Sequence, residues 1–187
     1  MLRKKIPTML IIGEGLQDEY FLNRLKNLYY DNNEDRNFSI EIDNAKGGAP
    51  ISVVRKADRY EGNFVCKIVI FDDDQGTQAK QSAIQIAKQK KIKYLMHTPC
   101  LEATLLLVIK NGKFLTDEHK ECEEYKKEFR DNIRTNLSIN TSEKVKTIHY
   151  KRYFSKDSFQ TQIREQEQSI PFLKEIIPYI KNGCNVT

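Results

Sequence analysis

The sequence predicts an α/β protein built on a mostly parallel sheet of about four strands flanked by helices. Strand-like and helix-like segments alternate four times before residue 110, which is the order typical of parallel sheets. Two of the strand-like runs are continuously apolar, as expected for strands covered on both faces. A hydrophobic share of 39% with 30% charged residues is that of a folded domain. We expect one domain over 1–187, with its core at about 7–110 and an α-helical C-terminal elaboration at about 117–187.

The elements of the core follow from periodicity and turn residues. The apolar run from Thr8 to Gly13 is too short for a helix and predicts a buried strand. The helix after Gly15 carries an apolar stripe, with Asp18 placed among the polar residues opposite. The alternating run at 38–42 predicts a strand nearer the sheet edge. Further strands are predicted at 65–71 and 92–96, and further helices after Pro50, from Thr77 and at 101–109.

The last third of the chain has a different texture. Residues 117–137 predict a charged helix with one apolar seam, which we expect to be core or a contact with a partner helix. A possible strand at 145–150 follows. Two more helices are predicted, one polar at 157–168 and one apolar near 170–177.

Composition excludes several classes of protein. No stretch approaches the roughly 20 apolar residues that span a bilayer. The four cysteines and three histidines are dispersed, which argues against a structural zinc site and a disulfide framework and favours a cytoplasmic protein with reduced thiols. The net charge of +5 permits a polyanionic partner without demonstrating one.

Acidic side chains follow the two most apolar predicted strands. Glu14 comes after the first, and Asp72, Asp73 and Asp74 come after the third. Because the carboxyl ends of parallel strands open onto the ligand-binding crevice, these groups are expected to meet there. Carboxylates in one crevice repel one another, and a hard divalent cation such as Mg²⁺ relieves that repulsion. In the alternative interpretation Glu14 only caps the following helix and the aspartates form a solvated loop.

The order of these motifs resembles the Toprim domain, in which a strand ending in Glu-Gly is followed by a strand ending in Asp-x-Asp. Here the motifs are Ile11–Gly15 and Val69–Asp74. The segment His97–Leu107, which contains Pro99 and Glu102, is similar to a segment of RloB-like Toprim proteins, and Tyr150–Lys156 is similar to their later Tyr-x-Lys element. The resemblance covers residues 8 to about 160. The sequence also resembles Toprim nucleases of the overcoming-lysogenization-defect type.

The resemblance implies a Toprim-like, Rossmann-like fold and metal-dependent cleavage of phosphodiester bonds. Asp72 and Asp74 would bind Mg²⁺ or Mn²⁺, with Glu14 as a further ligand or as the general base. Glu102 would complete a second ion site, and Lys156 would neutralise charge in the transition state. The family further implies an ABC- or SMC-like ATPase partner and a role in bacterial defence against phage.

The basic residues suggest where nucleic acid would bind. The segment from Lys144 to Arg152 interleaves cations with aromatic rings, which suits phosphate contact and base stacking. Its candidate nucleic-acid-binding residues are Lys144, Lys146, Lys151 and Arg152. The lysines at 88–93 are more typical of a solvated helix end. Because the net charge is small, we expect activity to need a partner or a homo-oligomer.

Two other functions fit the same residues. One is a catalytically silent Toprim subunit that binds nucleic acid or its ATPase partner without cutting. The other is a Mg²⁺-dependent phosphatase or phosphotransfer protein on a related α/β sheet, in which one aspartate of the cluster is the nucleophile. The choice of DNA, RNA or tRNA as a target stays open.

Overall fold

A computed structural model describes residues 6–31, 37–74, 76–113 and 121–184 of the chain. The strands are β1 (Thr8–Gly13), β2 (Ser39–Asn44), β3 (Phe64–Asp72) and β4 (Lys93–His97). The helices between them are α1 (Leu16–Tyr29), α2 (Pro50–Arg59) and α3 (Thr77–Gln89), and the helices after the sheet are α4 (Leu101–Ile109), α5 (Cys122–Leu137), α6 (Thr147–Phe154), α7 (Asp157–Gln166) and α8 (Pro171–Asn182).

The four strands form one sheet in the order β2-β1-β3-β4, and every pairing is parallel. The predicted α/β class and the edge position of the second strand are therefore confirmed. The chain moves from β1 to β2 on one side and then returns to place β3 on the other side. The carboxyl ends of β1 and β3 thus flank the point where the strand order reverses, which is where open α/β sheets bind ligands.

Helices cover both faces of the sheet because alternate residues of each buried strand point to opposite sides. Met9 and Ile11 of β1 pack in a large cluster with the apolar stripes of α1 and α4. Leu10 and Ile12 pack in a smaller cluster with α2 and α3. Since both sets are fully buried, the continuous apolar pattern of β1 has its explanation in this double cover.

The C-terminal helices extend the larger of these clusters. The predicted seam of α5 is buried, with Tyr125, Phe129, Ile133 and Leu137 in the core. Aromatic rings join the helices at this point: Phe21 of α1 lies 5.8 Å from Phe154 of α6, centroid to centroid. The part of this predicted helix at 117–120 lies outside the described residues.

Two predictions for this region are wrong. The possible strand at 145–150 is replaced by α6, because Tyr150, Tyr153 and Phe154 recur at helical spacing and bury one common face. The expectation of unpaired thiols also fails in part, since Cys66 on β3 and Cys184 after α8 form a disulfide. That bond ties the end of α8 to the sheet. Within the described residues, none of the helices has the length and apolar character required to cross a membrane.

Candidate active site at the carboxyl ends of β1 and β3

An open cleft of about 660 Å³ lies at the carboxyl ends of the two central strands. Its walls come from the β1–α1 turn, the β2–α2 loop, the end of β3 and the first turn of α4, with further side chains from α5 and α6. The cleft is lined by Glu14, Gly15, Leu16, Gln17, Asp18, Asn44, Lys46, Gly47, Asp72, Leu101, Glu102, Lys126 and Thr147. Four of these residues carry carboxylates: Glu14 in the β1–α1 turn, Asp18 in the first turn of α1, Asp72 at the end of β3 and Glu102 in the first turn of α4.

The structure brings Glu14 and Asp72 together. Oε2 of Glu14 accepts a hydrogen bond of 3.3 Å from the backbone N–H of Asp72. Oδ1 of Asp72 in turn accepts a hydrogen bond of 3.0 Å from the N–H of Leu101, the first residue of α4. Each carboxylate therefore fixes a backbone segment that comes from elsewhere in the sequence.

Asp18 is a further acid of the cleft, and its predicted place on the polar face of α1 is wrong. The residue is only 6% exposed. Its Oδ2 accepts a hydrogen bond of 2.9 Å from the N–H of Gly15, whereas its Oδ1 is buried without a hydrogen-bond partner among the described residues. A Cβ on Gly13 would lie 2.4 Å from Cβ of Asp18, so only glycine lets α1 approach the end of β1 this closely.

His97 is the buried neighbour of Asp18. Its Nε2 lies 3.5 Å from the unpartnered Oδ1, and its Nδ1 shares a hydrogen bond of 3.1 Å with the hydroxyl of Thr104. Its ring also packs on Phe172 of α8, with centroids 3.9 Å apart. The imidazole therefore holds the inner wall of the cleft against the C-terminal helix.

Burial and mutual repulsion make three carboxylates of the cleft, those of Glu14, Asp72 and Glu102, reluctant to ionise. Burial raises the pKa of Asp72 to about 9, and the charges of Asp18, Glu14, Glu102 and Asp74 add to the shift. Burial likewise raises the pKa of Glu14 to about 6, partly offset by the hydrogen bond from Asp72. The pKa of Glu102 is raised by burial too, with Lys126 opposing. An additional positive charge would be stabilised in this cleft.

The remaining aspartates after β3 point to different surroundings. Asp73 forms a salt bridge with Lys80 of α3, away from the cleft. Asp74 is exposed and does not line the cleft, although its charge is close enough to raise the pKa of Glu14 and of Asp72. Among 6–31, 37–74, 76–113 and 121–184, no three His, Cys, Asp or Glu side chains stand ready as a set of metal ligands.

Two lysines line the cleft, Lys46 of the β2–α2 loop and Lys126 of α5, and the charges of the acids act on Lys126. Burial tends to lower its pKa, but Glu123, Glu102 and Asp74 outweigh this and raise it. The predicted Lys156 lies elsewhere: it precedes α7, and its ammonium donates a hydrogen bond of 2.5 Å to the carbonyl of Asn136. It is absent from the cleft lining.

The four predicted nucleic-acid-binding residues lie on and before α6. Lys144 and Lys146 are exposed in the segment that leads into the helix, and Lys151 and Arg152 are exposed in its last turn. Because Thr147 at the start of α6 lines the cleft, this basic helix begins at the acidic site.

Sequence reasoning missed Asp18 and Lys126. A signal for Asp18 was present, because it shares a stripe with Phe21, Leu22 and Leu25 at spacings of three, four and seven residues. A carboxylate on an otherwise apolar helix stripe becomes buried, which costs folding free energy unless a hydrogen bond or an ion compensates for it. No local signal identifies Lys126, since it is the packing of α5 that decides which of its cations faces the cleft.

One comparison with known proteins identifies the family. The family described as "RloB-like protein" matches residues 9–184, which includes every strand and helix described above apart from the first residue of β1. No curated protein and no solved structure gives a significant match. Since the match spans nearly the whole chain, this protein belongs to the RloB-like family.

Proposed function

We propose that this protein is a metal-dependent nuclease of the Toprim type that hydrolyses phosphodiester bonds in the cleft between β1 and β3. The observation that carries the proposal is the contact between Glu14 and Asp72, two acids from distant segments that meet at the reversal point of the sheet. Without a compensating interaction, acids in such contact would be expected to separate. The reason is that raising the pKa of a carboxylate in the folded state lowers the free energy of unfolding at neutral pH.

The chemistry of the donors fits a hard divalent cation. The cleft offers carboxylate oxygens from Glu14, Asp18 and Asp72, with Glu102 beside them. The buried Oδ1 of Asp18 accepts no hydrogen bond among the described residues, and Nε2 of His97 lies 3.5 Å away, so a closer cation would satisfy it better. Carboxylate oxygens are the ligands that Mg²⁺ and Mn²⁺ take in proteins. Asp74 would complete the shell from the cleft rim, and Glu102 would serve a second ion.

Glu14 and Lys126 would then each have a chemical role beside the ion. A bound ion would activate water and offset the charge that develops on the phosphate. Glu14, whose pKa of about 6 lies near neutrality, is suited to accept the proton of the attacking water. Lys126 is the cation placed to stabilise the developing negative charge, a role that the sequence suggested for Lys156.

Membership of the RloB-like family supports a wider setting for this reaction. Such proteins are linked to defence against phage and are typically found with an ABC- or SMC-like ATPase. We extend both features to this chain, with nucleic acid as the substrate, the cytoplasm as the compartment and a homo-oligomer as a possible active form.

Cleavage of plasmid DNA and of labelled RNA in Mg²⁺ or Mn²⁺ tests the proposal. Wild type should cut, alone or with its partner ATPase, and Glu14→Gln should lose at least about 100-fold in rate while keeping its melting temperature. Asp73→Asn is the matched control, because Asp73 is an adjacent acid that pairs with Lys80 outside the cleft.

Two outcomes would contradict this account. Binding of nucleic acid without cleavage under either metal, with and without the ATPase, would identify a silent subunit. Hydrolysis of a phosphomonoester such as p-nitrophenyl phosphate, lost in Asp72→Asn, would identify a phosphatase.

A further inference from the structure

A second depression lies further along α1 and α6, the two helices that bring Gln17 and Thr147 to the acidic cleft. Its walls are Tyr20, Asn23, Arg24 and Asn27 of α1 together with Lys151, Phe154 and Ser155 at the end of α6, and its volume is about 260 Å³. We call it the α1–α6 groove. Gln17 and Thr147 line the acidic cleft, and Tyr20, Arg24 and Lys151 lie about one to two turns further along the same helices. The cleft and the groove therefore follow one another along these two helices, and we call the two together the furrow.

The length of the furrow suits a polymer better than a small molecule. At 1.5 Å per residue, the rise from Gln17 to Arg24 along α1 is about 10 Å. One strand of nucleic acid advances about 3.4 Å per nucleotide when stacked, so this distance corresponds to roughly three nucleotides. The groove is too small to admit a duplex but has room for one sugar and its phosphate.

The groove offers a cation that still needs an acceptor. One terminal amine of Arg24 donates a hydrogen bond of 3.2 Å to the carbonyl of Ser155, which fixes the guanidinium on the groove wall. Its Nε is buried with no hydrogen-bond partner in the described part of the chain. Burial lowers the pKa of Arg24, and the negative charge of Asp157 offsets this only in part. Arg24 as a whole remains partly exposed at the groove wall, so its positive charge is available to a phosphate oxygen there.

A second cation and an aromatic ring lie on the same wall. The ammonium of Lys151 lies 6.0 Å from the centroid of the Tyr20 ring, and Lys151 is exposed whereas Tyr20 is half-buried. Near the mouth of the cleft, Leu16 and Ile148 are 48% and 61% exposed, although both are large apolar residues. An unpaired strand binds proteins through its phosphates, which contact cations, and through its base faces, which pack on rings and other apolar side chains.

We infer that the α1–α6 groove binds the backbone of one unpaired nucleic-acid strand and leads it into the acidic cleft. Arg24 and Lys151 contact consecutive phosphates, and the Tyr20 ring supports a base or sugar beside them. This inference rests on the proposed function for its substrate class, and it adds the single-stranded form of that substrate and the direction from which it enters. It also gives Lys151 a specific role within the basic helix α6.

Binding of a fluorescein-labelled 12-nucleotide single strand, as DNA and as RNA, tests the inference through fluorescence anisotropy over a range of salt concentrations. The full chain carrying Asp72→Asn is the parent, so that the strand stays intact in Mg²⁺. Lys151→Glu and Arg24→Gln should each weaken binding about 5- to 10-fold and reduce the slope of log K against log salt by about 1. Lys151→Glu is the safer variant, because the side chain is exposed and its replacement is expected to leave the fold unchanged.

Lys88→Glu is the matched control. Lys88 is equally exposed, but it lies on α3, whose buried residues pack on the opposite face of the sheet. Its reversal changes the net charge by the same amount and should alter binding less than twofold. Equal effects of Lys88→Glu and Lys151→Glu, tighter binding of a duplex, or no binding by the parent would each overturn the inference. So would unchanged binding in Lys151→Glu, the result expected if the groove instead receives an acidic partner protein.

Failure of the groove and failure of the nuclease proposal give different results. If wild type cuts and Glu14→Gln does not, but Lys151→Glu binds normally, then the nuclease stands and the groove does not. If binding depends on Lys151 while no metal supports cutting, then the groove stands and the nuclease does not.

Discussion

Neutralising Asp72 should stabilise the metal-free protein, and it should do so more strongly as the pH rises. Burial and four neighbouring acids raise the pKa of Asp72 from 3.8 to about 9 in the folded state. Between these values the folded protein keeps a proton that the unfolded chain has released. Raising the pH therefore favours unfolding, by about 1.4 kcal/mol per pH unit at most. Asp72→Asn removes this dependence while keeping an oxygen that can accept the N–H of Leu101.

The size of the effect follows from the pH interval. From pH 5 to pH 8 the wild type should lose up to about 4 kcal/mol of unfolding free energy more than Asp72→Asn does. Water that enters the open cleft screens the charges and reduces the effect, so a difference of about 1 kcal/mol or more is the expected result. Urea unfolding at both pH values in excess EDTA measures it, with Asp73→Asn as the control because Asp73 pairs with Lys80.

A cation should reverse the order of stability. Saturating Mg²⁺ at pH 8 should stabilise the wild type, by about 2.7 kcal/mol at one hundred times the dissociation constant, and should stabilise Asp72→Asn less. Parallel pH curves for wild type and Asp72→Asn in EDTA would refute the reasoning, because they would mean that Asp72 is not held among other charged acids.

Three further predictions have defined outcomes. Lys126→Gln should lower the rate of cleavage by about 10-fold or more, whereas Lys156→Gln should leave it within about 3-fold, since Lys126 lines the cleft and Lys156 does not. Single-turnover cleavage compares them, and the reverse order would restore the assignment to Lys156. Cys184→Ser should reduce the unfolding free energy by up to about 5 kcal/mol under oxidising conditions, because its disulfide closes a loop of 118 residues, and should have no effect in excess reductant. Phe21→Ala should cost about 3 to 5 kcal/mol in urea unfolding, because the ring is fully buried between α6 and α8; a loss below about 1 kcal/mol would contradict this packing.

The sheet and the meeting of its acids could be predicted from the sequence because both depend on local patterns. Continuous apolar runs predict buried parallel strands, and parallel strands direct their carboxyl ends to one edge. This is enough to place Glu14 near Asp72. The separation of Asp73 from Asp74 depends on the turn after β3, where Lys80 of α3 pairs with Asp73.

What could not be predicted depends on how helices pack. The run at 145–150 alternates enough to suggest a strand, and only burial of Tyr150, Tyr153 and Phe154 against the aromatic core makes it a helix. The pairing of Cys66 with Cys184 depends on where α8 ends relative to β3, and their spacing carries no sign of it. The approach of α5 to the cleft, which brings in Lys126, is likewise a tertiary feature.

Helix capping and a charged active site are usually competing explanations for a carboxylate after a strand, but here the two are combined in the same residues. Asp18 accepts the N–H of Gly15 at the start of α1, and Asp72 accepts the N–H of Leu101 at the start of α4. A carboxylate that only capped a helix would be stabilised as an anion, and its pKa would fall. The pKa of Asp72 instead rises to about 9, because burial and four other acids outweigh the cap. Capping therefore explains how Asp72 is oriented, and the proposed cation would offset the repulsion among the acids that surround it.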